Sequence, residues 1–345
     1  MTSKALQLWA VKESANDYRD LIKFMLKQYD LAQSGILKSL QKQYVKFKTT
    51  DNPQDYYNIM IQSNRLNDLR GEVQASYNKF SRVAGTQIKN ASSVALSNTY
   101  YRRQYALNWL GHSELKFSIL DPRIIDLSVL STQDSWTAIN KRLQNRYLHT
   151  GQMARETGSL SELLFNFRTR QSVKVQGALT QGFLQGQGIR EQSKALQKIM
   201  ENSKFQANRI VQTETARTTN LGNQLASIDA RDAGLTIMRM WLAQIQLPGT
   251  RPNHAVMNNQ VAEVDQPFSN GVMRPGAWGV AKDDINEKCT TVDVIVRNGE
   301  VQSPSLRRGR NPVTGKNEIM NFEDFEPWAK KFNIKKNKAG QMVVT

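Results

Sequence analysis

The stretch Ala207–Gly234, ANRIVQTETARTTNLGNQLASIDARDAG, decides the fold. Ala207, Val211, Glu214, Thr218, Leu221, Leu225 and Ile228 recur at spacings of four and three, which places them on one face of a helix. Gly234 supplies the residue type that most readily ends such a helix in a left-handed conformation. Within this otherwise inward face stands a carboxylate, Glu214. Burying it alone is costly, so the spacing predicts a cation or an N–H donor against it. Arg217, three residues on, is within reach along the helix surface.

Past Gly234 the period changes from about 3.6 to 2. Residues 236–245 read as a strand turned by Leu247-Pro248-Gly249, and 261–264 as a second. Residues 290–296 read as a third, β-branched and ended by Asn298-Gly299. The span 265–286, rich in Gly, Pro and Asn, reads as loop. Arg251 and His254 fall on the turn after the first strand, from which either can reach Glu214 across the core. Glu214, Arg217, Arg251 and His254 are therefore expected to form a structural polar clamp of helix against sheet, with no catalytic residue. The enzymatic alternative is a transferase or peptidase-like enzyme using Glu214, Arg217 and His254, with Glu214 and His254 as an acid/base pair.

These residues carry a resemblance. Gln212-Thr213-Glu214-Thr215-Ala216-Arg217 resembles the R-T-E-x-x-R helix of the phage head morphogenesis family, the minor head proteins related to the F protein of phage Mu. Trp241, Arg251-Pro252-Asn253-His254, Pro275 and Cys289 follow in the family's order. The resemblance covers about residues 160–300. It implies a virion component that binds the portal protein, with major capsid or scaffold protein as further partners, and that acts in head assembly, DNA packaging or ejection. It also implies synthesis in the host bacterial cytoplasm and a place inside the capsid near the portal.

Upstream, Tyr18, Ile22, Met25, Tyr29, Ala32, Ile36, Leu40, Tyr44 and Phe47 form a helical stripe that Asn52-Pro53 terminates. Ile59, Leu66, Leu69, Val73, Tyr77 and Phe80 form another, and the two suggest an antiparallel hairpin. A third helical segment, 88–110, is poorer in periodicity and holds the cluster Tyr100-Tyr101-Arg102-Arg103-Gln104-Tyr105. Short strands at 116–120 and 124–130, then a helix through Trp136, Ile139, Leu143 and Tyr147, precede a boundary near 151–159. Helices at 160–184 and 189–200 lead into the opening one. A short terminal helix is expected from Asn321, anchored by Phe322, Phe325, Trp328 and Phe332. The fold class expected is α+β, in three parts: a mainly helical domain at 1–155, a helix-plus-small-antiparallel-sheet domain at 156–300, and a basic tail at 301–345.

The chain of 345 residues carries a net charge of +17. Residues 1–150 hold 21 Lys+Arg against 12 Asp+Glu and residues 301–345 hold 9 against 4, so the excess sits at the two ends. Such charge suits nonspecific contact with double-stranded DNA. Lys38, Lys42, Lys46, Arg102, Arg103, Arg307, Arg308, Arg310, Lys335, Lys336 and Lys338 are the expected contacts. No groove-reading motif is visible, which weakens the alternative of a cellular DNA-binding protein. A single cysteine, Cys289, excludes an internal disulfide. With His254 it makes too few ligands for a structural zinc site, so no metal and no cofactor is expected. No apolar run is long enough for a membrane anchor.

Overall fold

A computed structural model describes residues 3–45, 55, 58–59, 64–111, 120, 160–243, 250–285, 287–297, 300–302, 309–310, 317–318, 329–330, 333–338 and 340–344. Five long helices come first: α1 (Ser3–Asp17), α2 (Arg19–Val45), α3 (Arg65–Gly111), α4 (Leu160–Leu184) and α5 (Ile189–Asp232). Then follow β1 (Met238–Leu242), α6 (Pro252–Ala255), β2 (Val261–Glu263), α7 (Ala281–Asp284), β3 (Thr290–Arg297) and β4 (Glu300–Gln302). Four short strands complete the order: β5 (Gly309–Arg310), β6 (Asn317–Glu318), β7 (Ile334–Lys336) and β8 (Met342–Val344). The fold class is α+β. The chain forms two units, one of residues 1–19, 89–159 and 212–345, the other of residues 20–88 and 160–211. Neither follows the linear boundary near 155, because α3 and α5 each contribute one half to both units.

The unit of residues 20–88 and 160–211 is a bundle of four antiparallel helical segments. Tyr29 meets Phe80 edge-on at 5.3 Å, pairing α2 with α3. Ser172 donates to Gln74 at 2.7 Å and Arg70 to Thr180 at 2.9 Å, pairing α3 with α4. Gln171 donates to Gln206 at 2.8 Å, pairing α4 with α5, and Lys204 reaches Asp30 at 2.8 Å, closing the ring on α2. Between α4 and α5 the chain reverses through Gly186, whose φ of 63° is open to glycine at little cost. Bonds from Gln187 N to Gly182 O at 2.9 Å and from Gly186 N to Phe183 O at 3.1 Å satisfy the last carbonyls of α4. The apolar stripes of the sequence line this core: Met25, Tyr29, Ile36, Leu40, Leu69, Val73 and Tyr77 are all buried.

The other unit is built on a four-stranded antiparallel sheet of order β2-β1-β3-β4. Its register sets Arg239 opposite Asp293 and Trp241 opposite Thr291. Side chains alternate across the sheet. Met240, Val292 and Val294 therefore share one buried face, while Arg239, Trp241, Thr291 and Asp293 point to the other. On that second face α5 is buried on all sides: every residue from Arg217 to Ala230 is inside. Leu221, Leu225 and Ile228 join the apolar core with Leu96, Tyr100 and Leu107 of α3. Gly222 marks the crossing with α3, since a Cβ there would stand 3.0 Å from the Leu96 carbonyl oxygen.

A group of buried polar side chains in this unit converges on Asp293. Asp293 accepts from Arg103 Nε at 2.8 Å and from Ser227 Oγ at 2.8 Å. Arg103 and Asp293 are both fully buried. Burial pulls the Arg103 guanidinium below its usual range, and the Asp293 carboxylate opposes that. The Gln7 side-chain amide bonds both the N–H and the carbonyl of Asp293, at 2.6 and 2.9 Å. This occupies the β3 edge that β4, paired only over 295–297, does not reach. Gly234, at φ 97°, ends α5, with Leu235 N bonded to Ala230 O at 3.0 Å.

Several elements depart from the sequence reading. Residues 88–110 continue the preceding helix as one 47-residue α3, and 189–200 continues into the signature helix as one 44-residue α5. A separate helix, α1, precedes the first predicted stripe. The end of the chain is more than a tail: β7 and β8 form a hairpin whose Met342 N–H donates to Asn98 Oδ1 at 2.8 Å. Ile334 and Met342 enter the core. The strands expected at 116–120 and 124–130, the helix through 136–147 and most of the terminal helix from Asn321 lie outside the described residues.

Asp293→Asn leaves Arg103 charged and unpaired in the interior. The expected loss is about 3–5 kcal/mol, read as a large drop in the thermal or urea midpoint. A midpoint within experimental error of the parent would show that the pair does not hold α3 to the sheet.

Candidate functional site

Glu214 sits on α5 just before its fully enclosed stretch and is 3% exposed. Arg217 donates to its Oε2 from Nη2 at 2.8 Å and from Nε at 3.1 Å. The helical spacing of three alone brings this pair together. The loop before Trp278 closes over it: Gly276 has φ 79°, and a Cβ there would lie 3.1 Å from Arg217 Cα and 3.3 Å from Arg217 N. Tyr18 is buried nearby, donating to Ser92 Oγ at 3.2 Å. Burial pushes its phenol well above the usual range, against the pull of Ser92 and Thr218.

Arg251 and His254 do not join that pair. Both sit at α6 and reach the segment 283–289. Arg251 donates to the carbonyls of Asp283 at 3.1 Å and Ile285 at 2.6 Å. His254, 2% exposed, stacks on Trp278 at 4.5 Å between ring centroids. Its Nδ1 lies 3.2 Å from Glu287 Oε2 and 3.6 Å from Cys289 Sγ. Its Nε2 lies 3.8 Å from Asp283 Oδ1. Glu287 accepts from the N–H groups of Lys288 and Cys289, both at 2.8 Å, and from Trp278 Nε1 at 2.9 Å. Burial alone would raise the Glu287 carboxyl, but the hydrogen bond and charge of His254 and the Cys289 N–H outweigh it, so the group is held below its usual range. The expected four-residue clamp is thus two buried clusters, one on α5 and one between α6 and the start of β3.

The sequence reading passed over Glu287, Asp283 and Trp278. The signal was present in Asn286-Glu287-Lys288-Cys289, where an acid two residues before the only cysteine leads into a β-branched strand. It also missed Arg239, which is fully buried on β1 and donates to the carbonyls of Met273, Glu263 and Gln266. Burial pulls its guanidinium down to about 10, with Asp293 and Asp265 raising it and Arg274 lowering it further.

The basic residues divide. Lys38 and Lys42 are exposed on α2, and Lys335, Lys336 and Lys338 are exposed on the β7–β8 hairpin. Lys46, Arg307 and Arg308 lie outside the described residues, and Arg310 is placed on β5. Arg102 and Arg103 are not surface cations. Arg102 is 5% exposed and pairs with Asp17 at 2.7 Å, and Arg103 is committed to Asp293. The aromatics that flank them, Tyr100, Tyr101 and Tyr105, belong to the core. The charge also has a different home from the one linear counting suggests: residues 20–88 and 160–211 hold 18 Lys+Arg against 9 Asp+Glu, about half of the net +17.

Two substitutions test the α5 cluster. Glu214→Ala removes the carboxylate that faces the buried Arg217 and is expected to cost about 3 kcal/mol. Gly276→Ala combines a left-handed backbone, worth about 1–2 kcal/mol, with contact against the α5 backbone. Both should lower the unfolding midpoint, and a Gly276→Ala protein as stable as the parent would mean that the loop does not press on α5.

Residues 173–292 match the family model described as Phage Mu protein F like protein, a span that contains both clusters. The chain is 28% identical over 172 residues to the NAD(+)--arginine ADP-ribosyltransferase EFV of Enterococcus faecalis (strain ATCC 700802 / V583), covering 49% of this chain and 34% of that protein. It is 29% identical over 157 residues to the minor head protein GP7 of Bacillus phage SPP1, covering 44% of this chain and 49% of that protein. The chain thus spans about a third to a half of the length of these relatives. No solved structure matches it. The segment that runs from α4 through the enclosed α5 to β3 thus matches the Phage Mu protein F-like domain, and it overlaps the stretch that resembles a phage minor head protein.

Proposed function

We propose that the chain is a portal-associated minor head component that acts in head assembly or in DNA packaging or ejection, and that it touches packaged double-stranded DNA without reading its sequence. The observation that carries this reading is the Mu F-like match over residues 173–292 together with the likeness to a protein named as a minor head protein. The exposed lysines support the DNA part. Lys38 and Lys42 stand one helical turn apart on α2, and three more lysines stand on the C-terminal hairpin. Lysine binds phosphate as a point charge and carries no base information. The location that goes with this reading is inside the capsid near the portal, with scaffold or major capsid protein as further contacts. Among the described residues no helix is long and apolar enough to cross a membrane.

A transferase is the second reading, raised by the enterococcal relative, only 34% of which is matched. Glu214 is engaged by Arg217, and His254 faces Glu287, Cys289 and Asp283. Both are nearly fully buried, so neither presents a free side chain to a substrate. That favours a non-enzymatic role.

Co-expression with the portal protein encoded beside it should give a complex that elutes together on size exclusion, and mass spectrometry should find the chain in purified virions. Separate elution and absence from virions would remove the reading. In a gel shift, affinity for duplex DNA should fall steeply with salt. Replacing Lys38 and Lys42 by Glu should reduce the steepness of the log–log slope by about 2. An unchanged slope would take α2 out of the DNA contact.

A further inference from the structure

The cluster between α6 and β3 gathers three atoms of metal-ligating type around one point. His254 Nδ1, a Glu287 carboxylate oxygen and Cys289 Sγ all lie within 4.8 Å of one another, in the interior. In a neutral imidazole one nitrogen carries the hydrogen and the other a lone pair. With the hydrogen on Nδ1, the Nε2 lone pair faces the Asp283 carboxylate at 3.8 Å. With the hydrogen on Nε2, the Nδ1 lone pair faces the Glu287 carboxylate at 3.2 Å and the sulfur at 3.6 Å. In that second form, an imidazole lone pair, a carboxylate oxygen and a sulfur converge in the interior.

The geometry points to a zinc-class divalent cation held by His254 Nδ1, Glu287 and Cys289 Sγ. Bonds of about 2.0 Å to nitrogen or oxygen and about 2.3 Å to sulfur, at tetrahedral angles, set neighbouring ligand atoms about 3.3–3.5 Å apart. The separations of 3.2 and 3.6 Å lie close to that range. Imidazole, carboxylate and thiolate are the donor types zinc takes.

The surroundings fit the same assignment. With Nδ1 on the metal, the Nε2–H points toward Asp283, the carboxylate partner that orients many metal-bound histidines. Asp283 is itself placed by Asn253 Nδ2, which donates to its Oδ1 at 2.9 Å. Glu287 is fixed by three N–H donors, and a carboxylate has about four lone-pair sites, which leaves one for the ion. Binding releases the Cys289 thiol proton to solvent and leaves the fourth tetrahedral position to water. The ion would fasten the short α6 to the start of β3, 33–35 residues further along the chain.

The test uses the full chain stripped with a chelator and then titrated with zinc alone, and separately with cobalt. Stoichiometric zinc should remain after desalting. Cobalt should give a thiolate charge-transfer band in the near ultraviolet, and zinc should raise the melting temperature of the parent protein. Cys289→Ala should lose the band and the zinc-dependent rise. No stoichiometric metal in the parent protein would overturn the assignment. So would equal zinc content and an equal melting shift in Cys289→Ala, which would place the metal elsewhere. The metal measurements on the parent need no variant, so a poorly folding Cys289→Ala does not blunt them.

Discussion

The unit that carries the signature helix is organised around one carboxylate. Asp293 stands on the central strand β3 with Arg103 of α3 on one side, Ser227 of α5 on another and the amide of Gln7 from α1 against its backbone. Three helices distant in sequence are thereby fastened to one residue of one strand. An ion pair so buried contributes little net stability over an apolar replacement of the same shape, because desolvation offsets the attraction. Its effect is on uniqueness. Once Arg103 is inside, only an arrangement that brings Asp293 to it is tolerable, and that arrangement fixes the helix crossing and the strand register together.

The enclosed half of α5 follows from this constraint. A helix surrounded on every side has no solvent face for its polar residues, so each must meet a partner. Asn220 donates to the Cys289 carbonyl at 3.1 Å and accepts from Thr290 Oγ1 at the same distance. Arg274 donates to Gln224 at 3.2 Å, and Tyr100 donates to Asp229. Glu214 and Arg217 are the first instance of the same rule, met at the point where the helix enters the interior. Asn220, Gln224, Ser227 and Asp229 of this segment thus make matched contacts between a buried helix and the strand, loop and helix packed on it.

How much of this the sequence disclosed depended on whether an element had a wet side. The helices of the four-segment bundle each keep one, so their stripes read plainly, as did the switch to period two at β1. Residues 88–110 read poorly because they are buried nearly all round, and a helix without a polar face has no amphipathic period to find. The same cause hid Arg102 and Arg103. Cations among tyrosines resemble a nucleic-acid surface when only composition is visible, yet both are ion-paired, Arg103 wholly within the core. Glu214 with Arg217 was legible because helical spacing alone brings them together. Glu287 with His254 was not, since they stand 33 positions apart with β2 and α7 between them, and the path of that stretch is set by tertiary contacts.

The sharing of α3 and α5 between the two units bears on how the chain is made. The four-helix bundle needs residues up to Val211 before its last segment exists, yet the second half of α3 has by then long left the ribosome with its partners still unsynthesised. That half carries Arg103 and a row of buried tyrosines, and it waits first for α5, then for Asp293, and finally for a hairpin that bonds Asn98 from 244 residues away. Vectorial synthesis therefore leaves an aggregation-prone apolar surface bare through most of translation, in a protein whose contacts are long in sequence and slow to close.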